Sequence, residues 1–222
     1  MGLLGRGAFS LVMEERIVEY VRALFAPEDE VLVGIRARHE KDGLPLIFIS
    51  PEEAKIITVL LAAVGARRVL EVGTLGGYSG VWIARSLPPG GVLVTIERDP
   101  AHAQVALEAF AAAGVADRVD LRVGEARDVL ATLQPPFDAV FLDADKPPLG
   151  DYFHEAMRLL RRGGLLLCDN AFIHGRVVDA GDAEPDVEGV RTLNRLAASD
   201  RRLVSAIVPV RDGLTIGVKV GD

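Results

Sequence analysis

Val69-Leu-Glu-Val-Gly73-Thr-Leu-Gly76-Gly77-Tyr78-Ser79 runs from an apolar, strand-like segment through a cluster of glycines into a helical pattern. A strand, a glycine turn and a helix in that order form the opening unit of an open α/β sheet, and such sheets bind ligands at the carboxyl ends of their strands. Glycines at the turn admit positive φ and let the backbone approach a ligand closely. The N–H groups that open the next helix suit an anionic group such as a carboxylate.

Outward from this stretch the chain keeps the same rhythm. Strand candidates are Val69–Val72, Val92–Ile96, Val119–Val123, Ala139–Leu142, Leu165–Cys168, Leu203–Val208 and Leu214–Val220, with helical segments near 78–87, 101–113, 150–161 and 187–198. Such alternation implies right-handed crossovers and a mainly parallel sheet covered on both faces. Only Pro209-Val-Arg-Asp-Gly213 joins the last two strands. That is too short for a crossover helix, so the pair is expected to be antiparallel. Before Arg68 the pattern is helical. Ile17, Tyr20, Val21 and Leu24 recur at helical spacing up to Pro27, and a second helix is expected from Glu28 to about Glu40. A third starts at Ser50-Pro51-Glu52-Glu53, with Ser50 as cap, proline in the first position and acids facing the helix dipole. The expected class is α/β: a Rossmann-like, mainly parallel seven-stranded sheet with a C-terminal antiparallel hairpin and extra N-terminal helices. A single domain, 1–222, is expected, with a helical segment 1–65 leading into the core 66–222.

The bulk properties set bounds. Half of the 222 residues are apolar, enough for a sizeable core. No apolar run approaches the ~20 residues needed to span a bilayer. The apolar start of the chain soon meets Glu14, Glu15 and Arg16, unlike a signal peptide, so a cytoplasmic protein is expected. A net charge of −7 argues against a broad nucleic-acid footprint, leaving Arg161-Arg162 and Arg201-Arg202 as local phosphate contacts or, more simply, solvated pairs. The single cysteine, Cys168, excludes an internal disulfide and reads as a small buried hydrophobe. The four histidines show no ligand spacing. His102 and His154 read as solvated helix positions and His39 as a complement to a helix dipole. His174 is close enough to Asn170 to reach a pocket, although a surface position is the simpler reading.

Glu97 ends the second strand, 24 residues after Gly73, where an acidic side chain can accept both hydroxyls of a ribose. Dinucleotides and S-adenosylmethionine share that feature, so the glycines must discriminate. Leu75 stands where a G-x-G-x-x-G fingerprint has its second glycine, and its bulk opposes a pyrophosphate. Glu71, just before the turn, suits a cationic amino group. The expected cofactor is therefore S-adenosyl-L-methionine. Farther on, Asp143 closes one strand, and Asp169 and Asn170 close another. Neighbouring strands would bring these ends within about 5 Å. Two carboxylates and an amide oxygen are hard donors suited to Mg²⁺, or to Ca²⁺ or Mn²⁺. Of the 25 basic residues only Lys41, Lys55, Lys146 and Lys219 are lysines, and Lys146 stands beside this carboxylate set. Unlike arginine, lysine can release a proton when its surroundings lower its pKa.

Taken in order, these motifs resemble the metal-dependent O-methyltransferases of the catechol and caffeoyl-CoA type, class I methyltransferases. The likeness covers nearly the whole chain: Arg36-Ala-Arg-His-Glu, Ile49-Ser-Pro-Glu-Glu, Glu71-Val-Gly-Thr, Gly77-Tyr-Ser, Ile96-Glu-Arg-Asp, Leu142-Asp-Ala-Asp-Lys, Asp169-Asn170 and Pro209-Val-Arg-Asp-Gly213-Leu-Thr. It implies metal ligands at Asp143, Asp169 and Asn170 and catalytic roles for Lys146 and Asp143. It also implies a cofactor site of Ile49, Glu71, Gly73, Tyr78, Ser79, Glu97, Gly124, Glu125, Ala126 and Asp143, and a homodimer. The departures are on the substrate side. Leu149 stands where the family often has a tyrosine, and Leu46-Ile47-Phe48 replaces a Met-Gln type of run. The function expected is methyl transfer from S-adenosylmethionine to a catechol-like vicinal dihydroxy small molecule, with a divalent metal. The alternatives are the same chemistry on a hydroxylated nucleoside in tRNA and a non-catalytic cofactor-binding protein.

Overall fold

The computed structural model describes residues 9–222; the apolar first eight residues of the expected N-terminal segment lie outside the described residues. Three helices come first: α1 (Phe9–Phe25), α2 (Glu30–Asp42) and α3 (Pro51–Ala63). Helix α2 starts two residues later than expected because Asp29 is its cap, accepting the Leu32 N–H at 3.0 Å. Ser50 caps α3 as read, accepting from the Glu53 N–H at 3.3 Å. The core then alternates: β1 (Arg68–Val72), α4 (Tyr78–Ser86), β2 (Val92–Glu97), α5 (Pro100–Ala112), β3 (Val119–Val123), α6 (Ala126–Thr132) and β4 (Phe137–Leu142). It continues with α7 (Leu149–Leu159), β5 (Leu160–Cys168), α8 (Pro185–Ser199), β6 (Leu203–Val208) and β7 (Leu214–Lys219). Helix α6 was not foreseen. It is a seven-residue helix that buries only Ala126 and Leu130, too short to show a period.

The seven strands form one sheet in the order β3-β2-β1-β4-β5-β7-β6. Strands β1 to β5 are parallel, and β7 runs antiparallel to both β5 and β6, as the short connection after β6 required. Alternate residues of the central strands face opposite layers. Leu70, Val72, Val140, Leu142, Leu166 and Cys168 pack with residues of α6, α7 and α8. Val69, Ala139, Phe141, Leu165 and Leu167 pack with residues of α2 to α5. Cys168 is 2 % exposed, and burial pushes its thiol up to about 12, so it serves as an inert core residue. Among the described residues no helix is long and apolar enough to cross a membrane.

Register places the site. Val72 pairs with both Ile96 and Leu142, and Leu142 pairs with Cys168. The next residues along the four strands are Gly73, Glu97, Asp143 and Asp169, which therefore share one edge of the sheet.

Candidate active site

The ladder runs one residue past that edge. The Gly73 N–H donates to Ile96 O at 3.0 Å, Asp143 N–H to Val72 O at 2.9 Å, Asp169 N–H to Leu142 O at 3.1 Å and Gly124 N–H to Glu97 O at 2.9 Å. Beyond it the chains diverge around a cavity of about 570 Å³, within the range of small-molecule sites.

One half of the cavity is the glycine turn. Gly73 has φ +101°, and a Cβ there would lie 2.1 Å from the carbonyl oxygen of Asp143, so no side chain fits. Leu75 is left-handed at φ 47°, which turns its N–H toward Glu97 Oε2 at 2.8 Å. Glu97 Oε1 accepts from Asp99 N–H at 2.9 Å. Both carboxylate oxygens are thus oriented, with lone pairs to spare for further donors. Ile49, Tyr78, Ser79, Gly124, Glu125 and Ala126 line the same cavity. The Tyr78 hydroxyl donates to Glu28 at 2.8 Å, tying α4 to the turn before α2. Glu71 is fully buried behind this wall, where it accepts from the hydroxyls of Ser79 at 2.6 Å and Thr95 at 2.7 Å. Burial pushes its carboxyl up to about 7, against those two hydrogen bonds. Ser79 therefore presents its oxygen lone pairs to the cavity while Glu71 holds its proton.

In the other half, Asp143, Lys146, Asp169 and Asn170 converge. Lys146 Nζ lies 3.4 Å from Asp143 Oδ1. The neighbouring Asp145 is engaged instead by the Tyr152 hydroxyl at 2.9 Å. Burial is the largest single influence and works against the Lys146 ammonium, but Asp143 and Asp169 together with its other neighbours outweigh it and the pKa is raised. This corrects the idea of an easily deprotonated lysine: in the free protein Asp143 keeps it charged. Asp169 Oδ1 accepts from Asn170 N–H at 2.6 Å, and Asn170 takes φ 61°, a conformation asparagine tolerates. Among the described residues no three His, Cys, Asp or Glu side chains form a metal cluster. The donor set is the mixed one, two carboxylates and an amide, and its hard oxygens fit a divalent cation such as Mg²⁺.

Several residues here escaped the sequence reading. Glu53, read as a helix-dipole acid, is fully buried against Asp169. Its position with Ala54, Ile57 and Leu61 on the buried side of α3 was the available signal. His102 lines the cavity, with Nδ1 at 3.7 Å from Glu97 Oε1, and is not simply solvated. His39 is fully buried rather than capping a dipole: its Nδ1 meets Pro45 O at 2.9 Å, and burial lowers its pKa. His174 does line the cavity mouth, its N–H bonded to Asp212 Oδ1 at 2.7 Å. Leu149 is core and does not line the cavity, whose apolar lining includes Pro45, Ile47, Phe48 and Ile173. Arg161 is committed to Asp138 and Arg202 to Asp200, which leaves no free arginine pair at either place.

An open parallel sheet with a glycine turn, an acid ending β2 and a polar cluster ending β4 and β5 defines an α/β enzyme of the Rossmann-like methyltransferase class. The O-methyltransferase family model matches residues 23–220, and the chain belongs to that family. It is 38 % identical over 212 residues to a catechol O-methyltransferase of Niastella koreensis, covering 94 % of each chain. To a catechol O-methyltransferase of Mycobacterium tuberculosis it is 43 % identical over 170 residues, 76 % of this chain and 77 % of that one. Among solved structures, the O-methyltransferase TomG of Streptomyces achromogenes, involved in tomaymycin synthesis and solved with S-adenosylmethionine, superposes with a TM-score of 0.87. It shares 37 % identity, covering 93 % of this chain and 96 % of that one.

Proposed function

We propose that this enzyme transfers a methyl group from S-adenosyl-L-methionine to one hydroxyl of a catechol-like small molecule, with a divalent cation, Mg²⁺ in the first instance, held by Asp143, Asp169 and Asn170. The observation that carries the proposal is the single cavity shared by the glycine turn and the Asp143–Lys146–Asp169–Asn170 group. Relatives named catechol O-methyltransferase support the acceptor class. Bound together, the cofactor supplies an electrophilic methyl group and the cation a Lewis acid that favours ionisation of the acceptor hydroxyl.

The chain's own residues do the rest. Gly73, Tyr78 and Ser79 receive the methionine end of the cofactor, with Glu71 acting through Ser79. Glu97 accepts the ribose hydroxyls, and Gly124, Glu125 and Ala126 flank the adenine, near Ile49. Ile47, Phe48 and Ile173 give the acceptor an apolar wall. Lys146, charged and held by Asp143, donates to the acceptor oxygen as it becomes negative, and the proton of the ionising hydroxyl leaves to water at the cavity. Holding both reactants in one cavity replaces a bimolecular encounter by an oriented one. We further propose a cytoplasmic homodimer.

The test is methyl transfer from labelled S-adenosylmethionine to a panel of catechols, with Mg²⁺ and with excess EDTA. Transfer that EDTA abolishes and Mg²⁺ restores is expected. Transfer unaffected by the chelator would remove the cation from the reaction, and no transfer to any catechol would remove that acceptor class.

A further inference from the structure

Glu53 is a buried acid to which the chemistry above gives no task. Its relative exposure is 0 %, no N–H or hydroxyl donor among the described residues reaches Oε1 or Oε2, and its carboxyl abuts that of Asp169. Polar groups left unpartnered in an interior are costly and uncommon. On the same buried side of α3 as Ala54 and Ile57, an aliphatic side chain would fill the place without that cost. The carboxyl is aimed at the site. Arg211 Nη1 lies 3.9 Å from Glu53 Oε2 and 3.6 Å from Asp169 Oδ2, so one guanidinium reaches over both acids. Arg211 and Asp169 line the cavity and Glu53 does not, which puts Glu53 one layer behind Asp169.

We propose that Glu53 is a positioning residue for the divalent cation, acting through Asp169, with Arg211 closing the clamp. The inference rests on the cation reading above. Asp169 is fixed on one side by the Asn170 N–H on Oδ1. Glu53 and Arg211 bracket the other side, so the carboxylate meets a cation already oriented toward Asp143 and Asn170. Partners behind a metal ligand hold its orientation and strengthen it as a donor. Helix α3 thereby becomes part of the site, although none of its side chains reaches the cation.

The test is direct cation binding, read without turnover. Mn²⁺ is titrated into the full-length protein saturated with S-adenosylmethionine, and electron paramagnetic resonance reports free and bound Mn²⁺. Wild type, Glu53→Gln, Glu53→Asp and Asp169→Asn are compared, with cofactor affinity measured separately by calorimetry. Glutamine fills the volume of the carboxyl and should preserve the fold. Glu53→Gln is expected to bind Mn²⁺ about 10- to 100-fold more weakly, with an altered bound spectrum and cofactor affinity within about twofold of wild type. Glu53→Asp should recover part of the loss, and it is the variant to read should Glu53→Gln not fold. Wild-type Mn²⁺ affinity and spectrum in the variant that is read would overturn the proposal. Parallel loss of Mn²⁺ and cofactor binding would overturn it too, by marking a general structural defect. Wild type that takes up cofactor but no Mn²⁺ would instead strike at the cation reading, and the role of Glu53 would go with it.

Discussion

Asp143 faces Lys146 Nζ at 3.4 Å with one oxygen, and its backbone oxygen blocks any side chain at Gly73, so it joins the chemical and cofactor halves of the cavity. Replacing Lys146 therefore disturbs the reacting half alone. Lys146→Ala should lower kcat by about 10²- to 10³-fold, the usual contribution of a donor aimed at developing negative charge. Its dissociation constant for S-adenosylmethionine should not change, and steady-state kinetics beside calorimetry separate the two. An unaltered kcat would take the lysine out of the reaction. Glu71 makes a different kind of prediction. Its carboxyl titrates near 7 in the folded protein against an ordinary 4.5, because burial disfavours the charge. A raised folded pKa gives stability that is fully present below pH 4.5 and is lost as pH rises through about 7. The shift corresponds to about 3 kcal/mol. Thermal melts of the cofactor-free protein should fall across that window, and Glu71→Gln, which cannot ionise, should flatten the fall. A slope that survives in the variant would point to another group.

Among the elements, the central strands β1, β2, β4 and β5 were legible because each carries an aliphatic run with a turn signal after it, and two-sided burial makes those runs nearly continuous. Their ends were legible for the same reason: Gly73, Glu97, Asp143 and Asp169 each interrupt an apolar run with a residue that no core needs. What could not be read is what depends on contacts between distant elements. Glu53 lies in a helix first turn, where an acid has a sufficient local explanation, and only the packing of α3 against the sheet turns it inward. His39 follows the same logic, buried by Phe48 at 4.6 Å between ring centroids and by the backbone of Gly76. Gly189 is a third case. It sits in α8 with no turn to make, yet a Cβ there would lie 1.9 Å from the carbonyl oxygen of Lys146. Helix α8 thus supports the loop that carries the lysine. Gly189→Ala should push that loop aside, costing about 1–3 kcal/mol of stability as overpacked sites do. It should also lower kcat while cofactor affinity holds. Wild-type kcat in a folded Gly189→Ala enzyme would show that the loop tolerates displacement.

At the scale of the whole molecule, the surface is unevenly covered. Helix α1 has the apolar spacing read from its sequence, but its stripe does not face the core: Ile17, Tyr20, Leu24 and Phe25 are each more than half exposed. The helix is held to α3 through Arg22, which pairs with Glu52 at 3.1 Å, and the apolar residues are left outward. Val33 of α2 and Val59 of α3 are also more than half exposed. Large apolar residues concentrated on one helical layer mark a surface meant to be covered. A second copy is the occupant proposed here, because a patch that meets itself across a twofold axis closes without leaving further sticky surface. Light scattering on the purified protein should then give twice the chain mass of 23.8 kDa. Tyr20→Glu with Leu24→Glu would bury two charges in that interface, and the double variant should run as a monomer. Every group assigned to the cavity comes from a single chain, so the monomer should still bind S-adenosylmethionine. If it lost both association and cofactor affinity, the N-terminal layer would have to be counted as part of the site. A wild-type protein of 23.8 kDa in solution would leave the stripe for some other partner.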